Sequence, residues 1–547
     1  MDVRHRRPDR SLTRLFRRRR LPTTTALMSP VRLFVYCVLA TALPHLAAAQ
    51  SFTDAARDAK LRAALPAVDR IMREFTTREH IPGAAWGVII DGRLAHIGVT
   101  GFREVPSKSP VDSNTVFRIA SMTKSFTAMS ILALRDAGKL SLDDPAERYV
   151  SELAGLRYPT TDSPKITIRH LLSHAEGFPE DNPWGDQQLA RTDDELSQMI
   201  MRGIPFSNAP GIAYEYSNYG FAILGRIVTR VSGMPYNEYV ATHILRPLGM
   251  RSTTLSPNSV PANRLAHGYR WEDDKWKEEA QLPDGSFGAM GGMLTSLSDL
   301  GAYVSAYLAA WPPRDGVETG PVRRSSLREM QQLSRPGASS VVRSATGALQ
   351  LNTSGYGYGL RVSTNCLFAH IVAHSGGLPG FGSQMRWLPE YGIGIIAFGN
   401  RTYSGWGAPI DAAMAALAQT GALQPRMAVP APALVEARDQ VTRLVLNWDD
   451  TLARSLAAEN LFLDRSIDRR AADVAALRAK VGACQAGTGF AYVENALRGQ
   501  WILPCARGDL LVSITLAPTT PPQVQFLEVR PAPTTGTVSR APLCPGN

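Results

Sequence analysis

The chain has 547 residues, 44% of them hydrophobic and 20% charged, which fits a globular protein and is too long for one ordinary domain. Its formal charge is +11, but residues 1–49 carry ten arginines against two aspartates, so the rest of the chain carries only +3. This distribution argues against a nucleic-acid-binding face on the folded part of the chain.

Residues 1–49 are predicted to be an N-terminal leader and signal peptide. Leu33–Leu46 is an apolar run of fourteen residues, whereas a membrane-spanning helix needs about 20, and the alanines that end at Ala49 suit cleavage after that residue. Translation starts at either Met1 or Met28. We expect a periplasmic or secreted protein without a membrane span after cleavage, and a retained N-terminal anchor is the alternative.

The predicted elements that follow the leader alternate between helices and strands. Two apolar runs are joined by Asp91-Gly92, which is a strong hairpin signal because both positions favour positive φ. The other predictions are an amphipathic helix over 54–78, an apolar helix over 117–137, a mixed helical region over 140–310, strands over 356–400 and a helix over 407–420. This order predicts an α/β (α+β) fold with an antiparallel sheet flanked by helices.

A change of composition divides the chain near its end. Residues 425–433 are rich in proline and are predicted to be a linker between residues 50–424 and a C-terminal α+β domain over 434–547. Two helices over 434–480 and three or four strands that include Trp501 are expected in this last domain. The sequence leaves four alternatives for the role of this domain: control of substrate access, dimerisation, binding of cell-wall material, or stabilisation of the protein alone.

Cysteine usage is consistent with export. Cys37 lies in the predicted leader, which leaves Cys366, Cys484, Cys505 and Cys544 in the mature chain. Four cysteines allow three complete pairings, and the sequence does not choose among them, although a Cys484–Cys505 bridge suits an oxidising compartment.

Ser121 and Lys124 form the first candidate catalytic motif. At a spacing of three residues at the start of an apolar helix, the two side chains lie on one face, with Ser121 near the positive end of the helix dipole. A lysine in a partly apolar pocket has a lowered pKa and can accept the serine proton. These residues alone leave open the alternative of a serine helix cap beside a solvated lysine.

Tyr216 and Asn218 form the second candidate motif, in the segment PGIAYEYSNYGFAILG. A tyrosine near a lysine amine can have a lowered pKa and move a proton to a leaving group. The asparagine amide can bind both the lysine and a substrate carbonyl. The alternative is a tyrosine-rich loop that packs before a helix.

His374, Gly376 and Gly377 form the third candidate motif, which follows a predicted strand. Glycines at a strand edge let substrate approach the backbone, and the N–H groups of Gly377 and Ser121 could together form an oxyanion hole. A nucleophile elbow around Ser375 is the alternative, but an elbow must be followed by a helix, and here a glycine turn and another strand follow.

A zinc hydrolase is the remaining enzymatic alternative. His170 and His174 have the i, i+4 spacing of a zinc-binding helix, but Leu171 stands where a metalloprotease has its general-base glutamate, and no third ligand is evident. We interpret both histidines as structural.

With the three motifs in this order, the chain resembles the class C β-lactamase family, which also contains DD-peptidases, D-aminopeptidases and carboxylesterases. Segments such as FRIASMTKSFTAMSILALRDAGKLSLDDP, ITIRHLLSHAEGF and MGGMLTSLSDL extend the resemblance over residues 54–420. It implies a serine hydrolase domain over 50–424 with an additional helical subdomain, and an acyl-enzyme on Ser121 with Lys124 and Tyr216 moving protons. No metal or organic cofactor is implied.

The third motif departs from the true β-lactamases, which have lysine where this chain has His374. A histidine is mostly neutral near pH 7 and holds a substrate carboxylate less strongly than an ammonium group does. We therefore expect hydrolysis of a small ester, an amide or a peptidoglycan-type peptide with D-amino acids. The alternatives are a non-catalytic or slowly acylated penicillin-binding or cell-wall-peptide-binding protein, and a true class C β-lactamase. The sequence does not predict the oligomeric state.

Overall fold

The computed structural model describes residue 52 and residues 54–343, 347–533 and 543–544, which form one compact unit. The predicted signal peptide, residues 1–49, lies outside the described residues. The strands are β1 Gly83–Ile90, β2 Arg93–Glu104, β3 Ser109–Pro110, β4 Phe117–Arg118, β5 Tyr269–Glu272, β6 Lys275–Glu278, β7 Leu294–Thr295, β8 Arg335–Arg343, β9 Leu349–Tyr356, β10 Arg361–Asn365, β11 Ile371–Leu378, β12 Phe381–Leu388, β13 Ile393–Gly399, β14 Tyr492–Asn495, β15 Arg498–Leu503, β16 Leu510–Leu516 and β17 Val524–Pro531.

The α-helices range from five-residue turns to fifteen-residue elements. They are α1 Arg57–Ala63, α2 Leu65–Arg78, α3 Thr123–Asp136, α4 Ile168–Leu172, α5 Asp193–Met201, α6 Asn218–Ser232, α7 Tyr236–Val240, α8 Gly288–Gly291, α9 Leu297–Ala309, α10 Arg324–Met330, α11 Gly407–Gln419, α12 Pro432–Leu446, α13 Asp450–Leu456 and α14 Ile467–Val481. Within the described ranges, no helix combines the length and apolar character needed to cross a bilayer.

A nine-stranded antiparallel sheet organises the fold, in the order β3-β2-β1-β13-β12-β11-β10-β9-β8. Helices α2 and α11 pack together in the apolar cluster on one face, and α9 contacts β1, β2 and β13 in a second cluster that also buries α3 and α6. The predicted antiparallel sheet flanked by helices is confirmed, and so is the hairpin at Asp91-Gly92.

Three segments predicted to be helical have different limits in the structure. Residues 54–78 form two helices that meet at Ala64, and residues 434–480 contain three helices rather than two. The predicted helix over 117–137 begins only at Thr123, because Phe117 and Arg118 pair with β7. Apolar periodicity does not distinguish a short buried strand from the first turn of a buried helix.

The C-terminal part has an apolar cluster of its own. Helices α12–α14 pack against the four-stranded sheet β14-β15-β16-β17, which buries Trp501. Disulfides join Cys484 to Cys505 within this part and Cys366 to Cys544 between the β10–β11 connection and the C-terminal segment. The domain limits 50–424, 425–433 and 434–547 stay a prediction.

Candidate active site

Ser121 lies in a sharp turn between a strand and a helix. After β4, the N–H of Ile119 donates to the Met293 carbonyl, Ala120 has a φ of 49°, and a 3₁₀ turn over Ala120–Met122 leads into α3. Positive φ is uncommon for a residue with a side chain, and such strain concentrates at functional sites. The turn leaves Ser121 only 8% exposed at the N-terminal end of α3.

Lys124 is fully buried next to this serine, so the alternative of a solvated lysine is wrong. Its Nζ donates to Ser121 Oγ at 3.1 Å, to Asn218 Oδ1 at 2.6 Å and to the Met290 carbonyl at 2.9 Å. Burial lowers the pKa of Lys124 to about 7, although the carboxylates of Asp181 and Asp186 favour its charged form. Near neutral pH a large fraction of the amine can therefore accept a proton from Ser121.

Tyr216 lies against both groups. Lys124 Nζ is 4.7 Å from the centroid of the tyrosine ring, and the Ser121 side chain is near enough to the phenol to act on its pKa. Burial raises the pKa of Tyr216 well above 10, and this effect exceeds the opposing effects of Ser121 and Arg361. The expectation of a lowered pKa is wrong, because removal from water disfavours the phenolate. Tyr216 is therefore a neutral phenol that can relay a proton.

Asn218 connects the lysine to a loop that covers the start of α6. Besides accepting from Lys124, its side chain donates to Asn182 Oδ1 at 2.7 Å. The Asp181 carboxylate accepts from the backbone N–H groups of Asn218 and Tyr219 at 2.7 and 2.8 Å. A carboxylate at a helix N-terminus satisfies free N–H groups and the helix dipole. This loop thereby fixes the position of the Asn218 amide.

His374 is buried and both of its ring nitrogens are occupied. Nδ1–H donates to the Ser375 carbonyl at 2.6 Å, and Nε2 accepts from the Tyr356 hydroxyl at 2.8 Å. Burial, Lys124 and Arg361 lower the pKa of His374 to about 3, so the ring is neutral at pH 7. The expectation that His374 contacts a substrate carboxylate is not supported, since the ring offers neither charge nor a free N–H.

Gly376 and Gly377 bring β11 against the nucleophile turn. A Cβ on Gly376 would lie 2.1 Å from the Ile119 carbonyl oxygen, so the close approach requires glycine. Strand β10 pairs with β11 only as far as Ala373, which leaves the edge beyond it without a β10 partner. No helix follows the segment, so a nucleophile elbow at Ser375 is excluded. The unpaired edge is available to a substrate backbone.

The zinc alternative finds little support in the positions of its histidines. Thr167 donates its backbone N–H to His170 Nδ1 at 3.3 Å, and Ser217 donates its N–H to His174 Nδ1 at 3.0 Å. The Nδ1 atoms are thus used to hold the backbone at the start of a helix. His174 also lies beyond the end of α4 with a φ of 55°, so the two histidines do not lie one turn apart on a single helix.

Sequence reasoning missed three side chains around the cleft. Arg361 is exposed, its guanidinium lies 5.9 Å from the Tyr216 ring centroid, and it forms no ion pair with a carboxylate of the described residues. The Tyr403 hydroxyl donates to Asp186 Oδ2 at 2.8 Å, and the Tyr403 ring packs beside Gly377. No local motif marks these residues, and Asp186 and Tyr403 are 217 positions apart.

Asp186 gives a test of the electrostatics of the site. Its carboxylate favours the charged form of Lys124, so Asp186→Asn is expected to lower the pKa of Lys124 further. Because the neutral amine is the base, the acid limb of the pH–rate profile, expected near pH 7 in the unchanged protein, will move to lower pH. Tyr403→Phe breaks the same hydrogen bond but keeps the carboxylate. If both variants shift the limb equally, the charge of Asp186 is not the cause.

Comparisons with known proteins concern the family and the fold of the chain. The family model described as Beta-lactamase matches residues 68–420. Protein flp of Staphylococcus aureus strain MW2 is 28% identical over 338 residues, which is 61% of this chain and 62% of that protein. Penicillin-binding protein 4* of Bacillus subtilis strain 168 is 28% identical over 55% of this chain and 64% of that protein. The chain thus spans less than two thirds of the length of these relatives.

Solved structures are similar in fold. An octameric penicillin-binding protein homologue from Pyrococcus abyssi superposes with a TM-score of 0.54 at 24% identity, covering 85% of this chain and 90% of that one. A mutant class C β-lactamase superposes with a TM-score of 0.51 at 20% identity, covering 66% of this chain and 97% of that one. At such identities the likeness supports the fold alone. Since the family model matches more than half of the chain, the protein belongs to the β-lactamase family.

Proposed function

We propose that the protein is an exported serine hydrolase that forms an acyl-enzyme on Ser121 and cleaves an ester, an amide or a D-amino-acid peptide bond. The observation that carries this proposal is the buried Lys124 amine, 3.1 Å from Ser121 Oγ, with a pKa of about 7. A base poised near the working pH combines a deprotonated fraction with enough basicity to accept the serine proton.

We propose the following steps for these groups. Ser121 Oγ attacks the substrate carbonyl carbon and its proton passes to Lys124 Nζ. The tetrahedral oxyanion accepts hydrogen bonds from the backbone N–H groups of Ser121 and Gly377. As the carbonyl re-forms, the bond to the leaving group breaks and that group takes a proton through Tyr216. Water then attacks the carbonyl carbon of the acyl-enzyme, and the bond to Ser121 Oγ breaks. Ser121 Oγ takes up the proton from the water through the same relay, and the acid is released.

Arg361 supports recognition of an anionic group on the substrate. His374 is neutral, and Lys124 is buried behind the serine, whereas Arg361 is exposed beside Tyr216. A hydrogen-bonded charge pair at such a site contributes about 1.5–3 kcal/mol, or about 10- to 100-fold in binding. The neutral His374 disfavours efficient β-lactamase activity. A kcat/KM of about 10⁴ M⁻¹s⁻¹ or more for penicillins would contradict this expectation.

Arg361→Ala tests this recognition. We expect KM to rise about tenfold or more for a substrate with a free carboxylate close to the scissile bond, with little change for the matched methyl ester. Arg361→Lys retains the charge but loses the planar fork of donors. Its KM for the charged substrate should lie between those of the unchanged protein and Arg361→Ala. Equal effects on the charged and the neutral substrate would contradict a role in carboxylate binding.

Intact mass measured over time with benzylpenicillin, in parallel with Ser121→Ala, tests the proposed function. A persistent adduct on the unchanged protein alone identifies the nucleophile and favours a slowly deacylated penicillin-binding peptidase. One relative is named a penicillin-binding protein, and one similar structure is named a homologue of such a protein. An adduct that forms and decays favours a β-lactamase. Without an adduct, the same two proteins are tested on p-nitrophenyl acetate, and equal hydrolysis by both, or none by either, overturns the proposal.

A further inference from the structure

A cavity of about 470 Å³ lies beside the catalytic motif, between the C-terminal end of α5, the loop before Asp186 and the first turn of α6. We call it the α5–α6 pocket. Its walls are mainly apolar and aromatic, and include Phe178, Trp184, Met199, Ile204 and Tyr219. This volume falls within the range of small-molecule sites and accommodates an aryl ring or a medium-length alkyl chain.

The aromatic wall of the pocket is built from rings that order one another. The Trp184 and Tyr219 rings are nearly parallel, with centroids 6.1 Å apart and an angle of 7° between their planes, and Phe178 meets Tyr219 edge-on. Trp184 is nevertheless 46% exposed at the rim. An ordered apolar surface that remains open to water gains free energy when an apolar group covers it.

The pocket and the reaction site share one turn of chain. Ser217 and Tyr219 line the pocket, whereas Asn218, between them, contacts Lys124. Asp181 lines the pocket and also holds the start of α6 through the N–H groups of Asn218 and Tyr219. A group in the pocket therefore contacts the residues on both sides of the amide that positions the catalytic lysine.

The charges around the pocket favour a neutral occupant. Glu180 and Asp181 oppose an anionic group, and Arg202 opposes a cationic one. Both carboxylates already accept backbone hydrogen bonds, Glu180 from the N–H of Asn182 and Asp181 from the start of α6. No charged group on a ligand is needed to satisfy them.

We propose that the α5–α6 pocket binds an uncharged alkyl or aryl arm of the substrate, so that the protein prefers esters or amides with a hydrophobic substituent. This assignment rests on the proposed acyl-enzyme function at Ser121 and adds a substrate class to it. The proposed recognition of an anionic group by Arg361 is independent of this pocket assignment, since Arg361 lies on β10 and the pocket is formed by α5, α6 and the loop before Asp186.

The test is the dependence of kcat/KM on chain length. In p-nitrophenyl esters from acetate to hexanoate, and in acetate esters from methyl to hexyl alcohol, we expect a rise in kcat/KM of about fourfold per methylene in one of the two series, from burial of about 0.8 kcal/mol per CH₂. Met199→Trp fills the pocket and should abolish that rise, and Met199→Ala enlarges it and should keep it. The ratio of kcat/KM for the longest and the shortest ester of that series, measured within each protein, is independent of its folded fraction.

Gln198→Trp is the matched control, because Gln198 is exposed on the same helix and does not line the pocket. In this variant, the ratio should equal that of the protein without substitutions. A flat dependence in both series, or the same slope in Met199→Trp, overturns the pocket assignment while Ser121-dependent hydrolysis persists. Hydrolysis that survives Ser121→Ala, or no hydrolysis of any ester, instead overturns the proposed function, and the assignment with it.

Discussion

Replacing Lys124 by methionine is expected to lower the rate of acylation of Ser121 by about 10³- to 10⁴-fold, because the variant keeps the length of the side chain and removes the base. Methionine suits this site because the Lys124 side chain is fully buried, so an uncharged side chain of similar length can replace it. Asn218 Oδ1 and the Met290 carbonyl lose their donor in this variant. The loss lowers the free energy of unfolding by about 1–3 kcal/mol for each buried acceptor. The removed cost of burying the lysine amine offsets part of this loss.

The acylation rate is measured by intact mass with the substrate that labels the unchanged protein, together with the thermal unfolding midpoint. Lys139→Met is the control, since Lys139 is exposed at the end of α3 and its change removes a positive charge outside the site. Retention of more than about a tenth of the rate by Lys124→Met would assign the base to another group. Tyr216 would then be examined first, because its ring lies beside Lys124 and the Ser121 side chain acts on the pKa of its phenol.

The sheet could be predicted from the sequence where strands are buried and turns carry their own signal. Strand β1 is buried along its whole length and ends at Asp91-Gly92, so both its apolar run and its turn are visible in the sequence. Strands β8 and β9 were missed, because most side chains of Arg335–Arg343 are exposed and give no alternating hydrophobic pattern. The place of β8 at the sheet edge, and of β9 between β8 and β10, depends on tertiary pairing.

The candidate site could be predicted as a set of residue types but not as a set of charge states. The spacing of Ser121 and Lys124 indicated a proton acceptor beside a nucleophile, and burial gives the lysine the lowered pKa that this chemistry needs. Burial also raises the pKa of Tyr216 and makes His374 neutral, and neither effect has a local sequence signal. Arg361, Asp186 and Tyr403 join the cleft only because the sheet and the loop before α5 meet there.

Gly376→Ala is expected to lower kcat/KM by about 100-fold or more, although it removes no group that takes part in the chemistry. The new Cβ would lie 2.1 Å from the Ile119 carbonyl oxygen and 2.5 Å from Ser383 Oγ, two atoms that are joined by a hydrogen bond of 2.8 Å. Strand β11 and the turn that carries Ser121 must therefore move apart. A displacement of about 1 Å between the oxyanion donors on these two segments is enough for such a loss.

The shape of the pH–rate profile separates this steric effect from an effect on the base. The backbone contact with Ile119 does not touch Lys124, so the acid limb of Gly376→Ala should stay near pH 7 while its height falls. Gly155→Ala is the control, because no atom lies within 4 Å of the added Cβ and φ at Gly155 is not positive. A rate for Gly376→Ala within twofold of the unchanged protein would mean that β11 does not contribute to the oxyanion hole. A lowered rate with a shifted limb would mean instead that the strand also sets the environment of Lys124.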